Sequence, residues 1–339
     1  MIYVKRIDPP EVFIKKYKAI QNEIKRAKDI YEIKGTPKPK NLFTFYSAQK
    51  NFYKDQLIAM FHHRCAYCET QVTIGSRGDI EHFRPKGEFV TKEGKTIEPG
   101  YYWLAAKWEN LYLSCTNCNQ KSTLKILDAN DPTKIIEQTV GKMNQFALKD
   151  EQFRIKDAQP TNLEDPYRLL IDPCLDKPEL LLEFSEDGNI KARKENNVEN
   201  EMALYSINVF GLRRLELVEI RKQKYLEVTD RSSTISLLKD LVVDGFQKNK
   251  KSVQHSVNCS EMEKNFMLLM KMLDSHNPNA TYIGAARQYA GSFLADYSSF
   301  ITNTLDPANF RTPELFRKAV DYFKPQVQAL TNYFQHEPV

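Results

Sequence analysis

Two cysteine pairs constrain this chain more than any other feature: Cys65-Ala-Tyr-Cys68 and Cys115-Thr-Asn-Cys118, with residues 69–114 between them. Each pair can place two thiolates on one tight turn, and the two turns together supply the four ligands of a tetrahedral structural Zn²⁺. Cys174 and Cys259 stand apart, and six cysteines in 39.5 kDa are too few for a disulfide scaffold. Two unrelated redox or packing pairs are the competing explanation, and the matched spacing favours zinc. Because a module of about 60 residues buries little core, the ion would contribute much of its folding energy.

Between the pairs lies Asp79-Ile-Glu-His-Phe-Arg-Pro-Lys86. The adjacent Glu81 and His82 put a hard oxygen ligand beside a proton acceptor, which suits a divalent cation working with a general base. Arg84 and Lys86 follow at once. Further on, Trp108-Glu-Asn-Leu-Tyr-Leu-Ser leads into the second cysteine pair, with Asn110 ahead of it and Asn119 directly behind.

On these residues the chain resembles the HNH endonuclease superfamily. His82, Asn110 and Asn119 match its three signature positions in an H-N-N variant, and the cysteine pairs match its zinc-containing branch. The likeness extends through the Trp103-Leu104 and Trp108–Leu111 block, Leu170-Ile-Asp-Pro-Cys174, and Ser206 to Arg221. Together these are similar to the HNH proteins of retron-associated and Septu-type (PtuB-like) antiphage systems. The similarity covers about residues 1–225 and is weak in the first 50. That group often has Leu-Asn-Arg where this chain has Leu212-Arg213-Arg214, a departure expected to bear on the helical part and not on the site.

The resemblance implies an α+β, predominantly helical fold. A ββα-metal core stabilised by a zinc site of four cysteines would sit between helical N-terminal and C-terminal segments. It implies His82 as general base and Glu81 with Asn119 as ligands of one Mg²⁺ or Mn²⁺. Asn110 would fix the loop that carries His82. Many members have His at the third position; Asn119 is an oxygen donor acceptable to Mg²⁺, whereas His leans toward softer metals. Arg84, Lys86 and Lys121 are candidate phosphate contacts, each equally explained as a plain surface charge. The implied substrate is DNA, the products carry 5′ phosphate and 3′ hydroxyl, and the implied partner is a PtuA-like ATPase.

The rest of the chain reads as framework. Residues 1–60 hold 13 Lys+Arg against 6 Asp+Glu, a basic helical segment with helices over Val12–Ile30 and Phe45–Phe61. The Pro-Lys-Pro-Lys run at 37–40 separates them. Residues 61–130 form the zinc-bound module, with glycine turns at Gly75, Gly78, Gly87, Gly94 and Gly100. Residues 131–199 are loop and short strand, and 200–339 are helical. There Ser260 with Glu263 is a capping-box signature, and Thr312-Pro313 opens a last helix. Met262, Met267, Met270 and Met272 are expected as the buried stripe of one helix. Tyr101, Tyr102, Trp103 and Trp108 fit core packing better than base stacking, and Asp79 fits a turn. Because two cysteine pairs already fill zinc's coordination, His62 and His63 fit packing or surface positions. Composition, with 41% hydrophobic and 27% charged residues, excludes wholesale disorder. The apolar runs fall short of the ~20 residues of a membrane span, so a soluble cytoplasmic chain is expected.

Two classes of function remain open. One is a metal-dependent DNA nuclease acting in phage defence. The other is a non-catalytic zinc module that binds nucleic acid or a protein. Glu81, Asn110 and Asn119 separate them, since a bare zinc ribbon needs none of the three.

Overall fold

Helical spacing in the first sixty residues is realised as helices α1 (Glu11–Lys15), α2 (Tyr17–Glu32) and α3 (Thr44–Met60). The computed structural model describes residues 1–9, 11–15, 17–32, 43–72, 78–156 and 159–336. The run at 37–40 and Gly75 lie outside the described residues. On α2 the buried face is Ile20, Glu23 and Ala27, while Tyr17 is exposed; on α3 it is Tyr53, Leu57 and Met60. Both faces follow the i, i+3/i+4 rule.

Strand β1 (Asp79–His82) precedes a short antiparallel ribbon of β2 (Phe89–Val90) and β3 (Thr96–Ile97). The chain then returns as β4 (Leu111–Ser114), antiparallel to β1 with Asp79 opposite Ser114 and His82 opposite Leu111. All four residues of β4 are buried, which explains its nearly continuous apolar sequence. A single helical turn, α4 (Thr116–Asn119), follows β4 directly. The ribbon of β5 (Ser122–Leu127) and β6 (Ile135–Val140) comes next. Tyr101, Tyr102, Trp103 and Trp108 are buried between these elements. The chain is thus α+β, with two-stranded sheets among the described residues.

Two compact units emerge. The first comprises Met1–Glu183 with Ile190–Leu217, and the second Phe184–Asn189 with Val218–Val339. The division at Leu217/Val218 falls inside the helix over Leu215–Gln247. The first unit also contains helix α5 (Glu201–Val209), capped by Asn200, whose side chain accepts from Ala203 N at 3.0 Å.

The second unit is built on α6 (Leu215–Gln247), α7 (Val253–Leu273), α8 (Ile283–Thr304) and α9 (Pro313–His336). Its core takes Val228, Ile235 and Val242 from α6, seven residues apart, and Met262, Phe266, Leu269 and Leu273 from α7. Those intervals are the period of a packed helix seam. The methionine stripe is only partly realised: Met262 is fully buried, Met270 and Met272 pack at the edge, and Met267 is exposed. Helix α7 also starts earlier than the capping-box signature at Ser260. Its cap is Ser252, whose hydroxyl accepts from His255 N at 3.2 Å. Helix α9 begins at Pro313 as the sequence indicates, with Leu315 N donating to the Thr312 hydroxyl at 3.3 Å. Among the described residues no helix is long and apolar enough to cross a membrane.

Close approach dictates the glycine that follows β6. Gly141, just after β6, has φ +111°, and a Cβ there would lie 2.0 Å from the Gln120 carbonyl oxygen. No other residue type fits both the conformation and the space. Gly141→Ala is expected to destabilise the chain by about 1–3 kcal/mol, read as a lower midpoint in urea denaturation. An unchanged midpoint would show that the segment yields.

Candidate metal centre and adjoining cleft

The four cysteines of the two pairs converge. Cys65, Cys68, Cys115 and Cys118 are buried, and their sulfurs all lie within 4.8 Å of one another. Local hydrogen bonds shape each knuckle: Glu69 N donates to Cys65 O at 3.0 Å, and Asn119 N to Cys115 O at 3.0 Å. The Cys68 and Cys115 sulfurs are 3.6 Å apart, close to the ~3.8 Å edge of a tetrahedron with Zn–S bonds near 2.3 Å. Four buried thiols at this spacing cannot all ionise without a cation among them, so the donor set fits Zn²⁺. His62 and His63 are not part of the cluster.

Arg214 completes the electrostatics of this centre. Its guanidinium donates to the Cys118 sulfur at 3.8 Å and the Cys115 sulfur at 3.9 Å, and to the carbonyls of Phe210 and Gly211 at 3.1 Å each. A zinc tetrathiolate held here would carry net negative charge, which the buried guanidinium would offset. Arg213 instead donates to Asn208 Oδ1 at 3.3 Å. The sequence marked the Arg213-Arg214 pair without indicating that its second member reaches the cysteines.

Beside the cluster opens a cleft of about 750 Å³ whose walls include Glu81, His82, Lys86, Asn119 and Lys121. His82 ends β1. Its Nε2 lies 3.0 Å from Ala105 O, and a carbonyl oxygen only accepts, so Nε2 carries the proton and Nδ1 is the basic nitrogen. Burial, with the nearby Lys86 charge, lowers its pKa to about 3. The imidazole is therefore neutral at ordinary pH.

Asn110 acts on the loop after His82. Its Oδ1 accepts from Arg84 N at 2.8 Å, and its Nδ2 donates to Arg84 O at 2.9 Å and Leu104 O at 3.2 Å. The Asn110 carbonyl also accepts from Phe83 N at 2.9 Å. One buried amide thus grips both main-chain groups of a residue two positions past the histidine. Asn119, at the end of α4, donates from Nδ2 to Asp79 Oδ2 at 3.2 Å. This orientation leaves its Oδ1 as the amide's acceptor. Asp79, expected as a turn residue, is the first residue of β1 and also accepts from Gln120 Nε2 at 3.2 Å.

Glu81 has a partner the sequence did not suggest. The fully buried Lys142 ammonium lies 2.6 Å from Glu81 Oε1 and 2.8 Å from His82 O. Burial pushes the carboxyl up and the ammonium down, and the ion pair opposes both shifts. Arg84, expected to meet phosphate, is turned away from the cleft. It is buried, with Nε 2.6 Å from Glu164 Oε1 and Nη2 2.6 Å from Asp165 Oδ1. Two carboxylates pair with that guanidinium, and Arg84 does not line this cleft. Glu81, His82, Asn119, Lys86 and Lys121 therefore share one cleft, whereas Asn110 and Arg84 stand behind it.

Replacing Cys115 with serine is expected to remove bound zinc and lower the melting temperature by several degrees, about 2–4 °C per kcal/mol lost. Elemental analysis and calorimetry check this. An unchanged melting temperature together with a zinc-free wild type would contradict the assignment.

No protein-family model matches the chain. Over 277 residues it is 30% identical to Septu protein PtuB of Bacillus mycoides (strain KBAB4), an alignment spanning 79% of this chain and 83% of that protein. Over 168 residues it is 27% identical to Septu protein PtuA of the same strain, spanning 49% of this chain and 20% of that larger protein. Given the identity and the coverage of the first alignment, the chain belongs to the Septu PtuB family.

Proposed function

We propose that this chain is a metal-dependent endonuclease of the HNH type that hydrolyses phosphodiester bonds of DNA, as the effector of an antiphage defence system. The defence role is supported by similarity to two Septu proteins. The nuclease reading rests chiefly on one observation: His82, on the wall of the cleft, has its Nε2–H committed to the Ala105 carbonyl.

Phosphodiester hydrolysis needs an activated water, neutralisation of the phosphoryl oxygens, and help for the departing oxygen. His82 takes the proton of the attacking water on Nδ1. The donated Nε2–H keeps that tautomer. Asn110 holds the Phe83–Arg84 backbone, and with it the ring, in place. A carboxylate oxygen of Glu81 and the amide oxygen of Asn119 are hard donors suited to one Mg²⁺ or Mn²⁺. Such a cation would supply charge neutralisation at the phosphate and at the leaving 3′ oxygen. Lys86 and Lys121 line the same cleft and attract the phosphate backbone. The antiparallel β1–β4 pair followed by α4 is the ββα unit in this reading, tied together by structural zinc.

A PtuA-like ATPase is the proposed partner. The decisive assay is cleavage of plasmid and single-stranded oligonucleotides with Mg²⁺ or Mn²⁺, with and without that partner. His82→Ala is expected to cut at least about 10²-fold more slowly, while zinc content and melting stay at wild-type values. Wild-type rates from His82→Ala would remove the general base. A wild type silent on every substrate with the partner present would leave a binding module.

A further inference from the structure

The buried Lys142 is the strongest chemical feature that the reading above leaves unused. Its side chain is fully buried, and its three ammonium donors meet Glu81 Oε1 at 2.6 Å, His82 O at 2.8 Å and Met143 O at 3.4 Å. The backbone around it is equally committed: Lys142 N donates to Cys118 O at 2.9 Å, and Met143 N to Asn119 O at 2.7 Å. Residues 141–143 therefore form a strap over the end of α4. The main chain of the strap grips the second cysteine pair and Asn119, while the Lys142 side chain reaches across to β1. Gly141 lets the strap lie against Gln120 with no room for a side chain.

A buried ion pair is a poor route to stability, because desolvation of two charges offsets most of their attraction and an apolar pair serves as well. Such a pair does fix geometry. An ammonium against Oε1 leaves Oε2 as the Glu81 oxygen open to a cation, and the same ammonium anchors the carbonyl of the residue bearing the imidazole.

We propose that Lys142 is a positioning residue of the cleavage site, holding Glu81 to a single cation-binding oxygen and fixing the His82 main chain so that base and oxygen donors keep one mutual geometry. The inference rests on the nuclease reading above. It has a consequence that a packing role does not share. Without the ammonium, Glu81 regains its second oxygen and loses a neighbouring positive charge, so a divalent cation binds more tightly even as the chemistry slows.

The test uses the full chain near pH 8 and compares wild type, Lys142→Met and Glu81→Gln. Mn²⁺ affinity is followed by electron paramagnetic resonance, alongside zinc content, melting temperature, oligonucleotide affinity and single-turnover cleavage. Lys142→Met is expected to lower the Mn²⁺ Kd by about 3–10-fold, an order set by removing one charge beside the site. It should slow single-turnover cleavage by at least about tenfold while oligonucleotide affinity is unchanged. Mn²⁺ binding that is lost in Glu81→Gln but unmoved by Lys142→Met overturns the proposal and leaves the cation site standing. Weaker Mn²⁺ binding in Lys142→Met, accompanied by loss of zinc or of melting stability, assigns the lysine to packing and also overturns it. A wild type that binds no Mn²⁺ removes the cation from the nuclease reading, and this inference with it.

Discussion

The cross-link between residues 65–68 and 115–118 is the constraint on which the rest of the first unit depends. Four buried thiols lie within 4.8 Å of one another, a donor set that could hold a metal ion such as zinc. The first knuckle follows the end of α3, and the second opens α4. Strand β4 enters the second knuckle directly, and β1 is held to β4 by four register pairs. The position of His82 relative to Asn119 therefore follows from the cysteine cluster through one strand pair and one helical turn. Arg214 belongs to the same centre, since its guanidinium contacts the Cys115 and Cys118 sulfurs. It supplies a fixed positive charge that a loop carbonyl could not.

Around the cleft, burial does more than hide side chains. It lowers the His82 pKa to about 3, and the Ala105 carbonyl then selects which nitrogen of the neutral ring keeps its proton. A surface histidine would lack both constraints. Burial also turns the Glu81–Lys142 contact from a weak surface pair into a rigid one, because neither charge has water as an alternative partner. The cleft thus contains charged groups whose directions are set before any ligand arrives, which is the condition for electrostatic preorganisation.

What the sequence revealed and what it hid divide along the distance between partners. The cysteine pairs were legible because metal spacing is local within each pair. Glu81-His82 was legible as an adjacent pair, and the helices over Val12–Ile30 and Phe45–Phe61 were legible in outline, the first realised as α1 and α2. The unit boundary was not legible, because a 33-residue helix continues across it with no break in composition. Arg84 was misread because its partners, Glu164 and Asp165, are 80 and 81 residues away; a lone arginine after a catalytic-looking motif gives no hint that it is already neutralised. Lys142 was missed for the same reason, lying 61 residues from Glu81 in a stretch of ordinary composition. Only the glycine before it hinted at close packing. For α7, the Ser260–Glu263 pattern fulfilled a local rule, but Ser252 caps the helix and opens it at Val253, so that motif lies within the helix.

The orientation of Asn119 follows from its neighbour. Asp79 Oδ2 takes the Asn119 Nδ2 protons at 3.2 Å, so the amide is oriented by a carboxylate and its oxygen becomes the donor available to a cation. A histidine in that place would pair its own N–H with Asp79 and offer nitrogen instead, a ligand that suits softer metals better than Mg²⁺. Asp79 and Asn119 are thus a hydrogen-bonded pair, and Gln120 steadies the same carboxylate from the next position. Asp79 leads β1 and Asn119 closes α4, so the strand that carries Glu81 and His82 also orients the second oxygen donor.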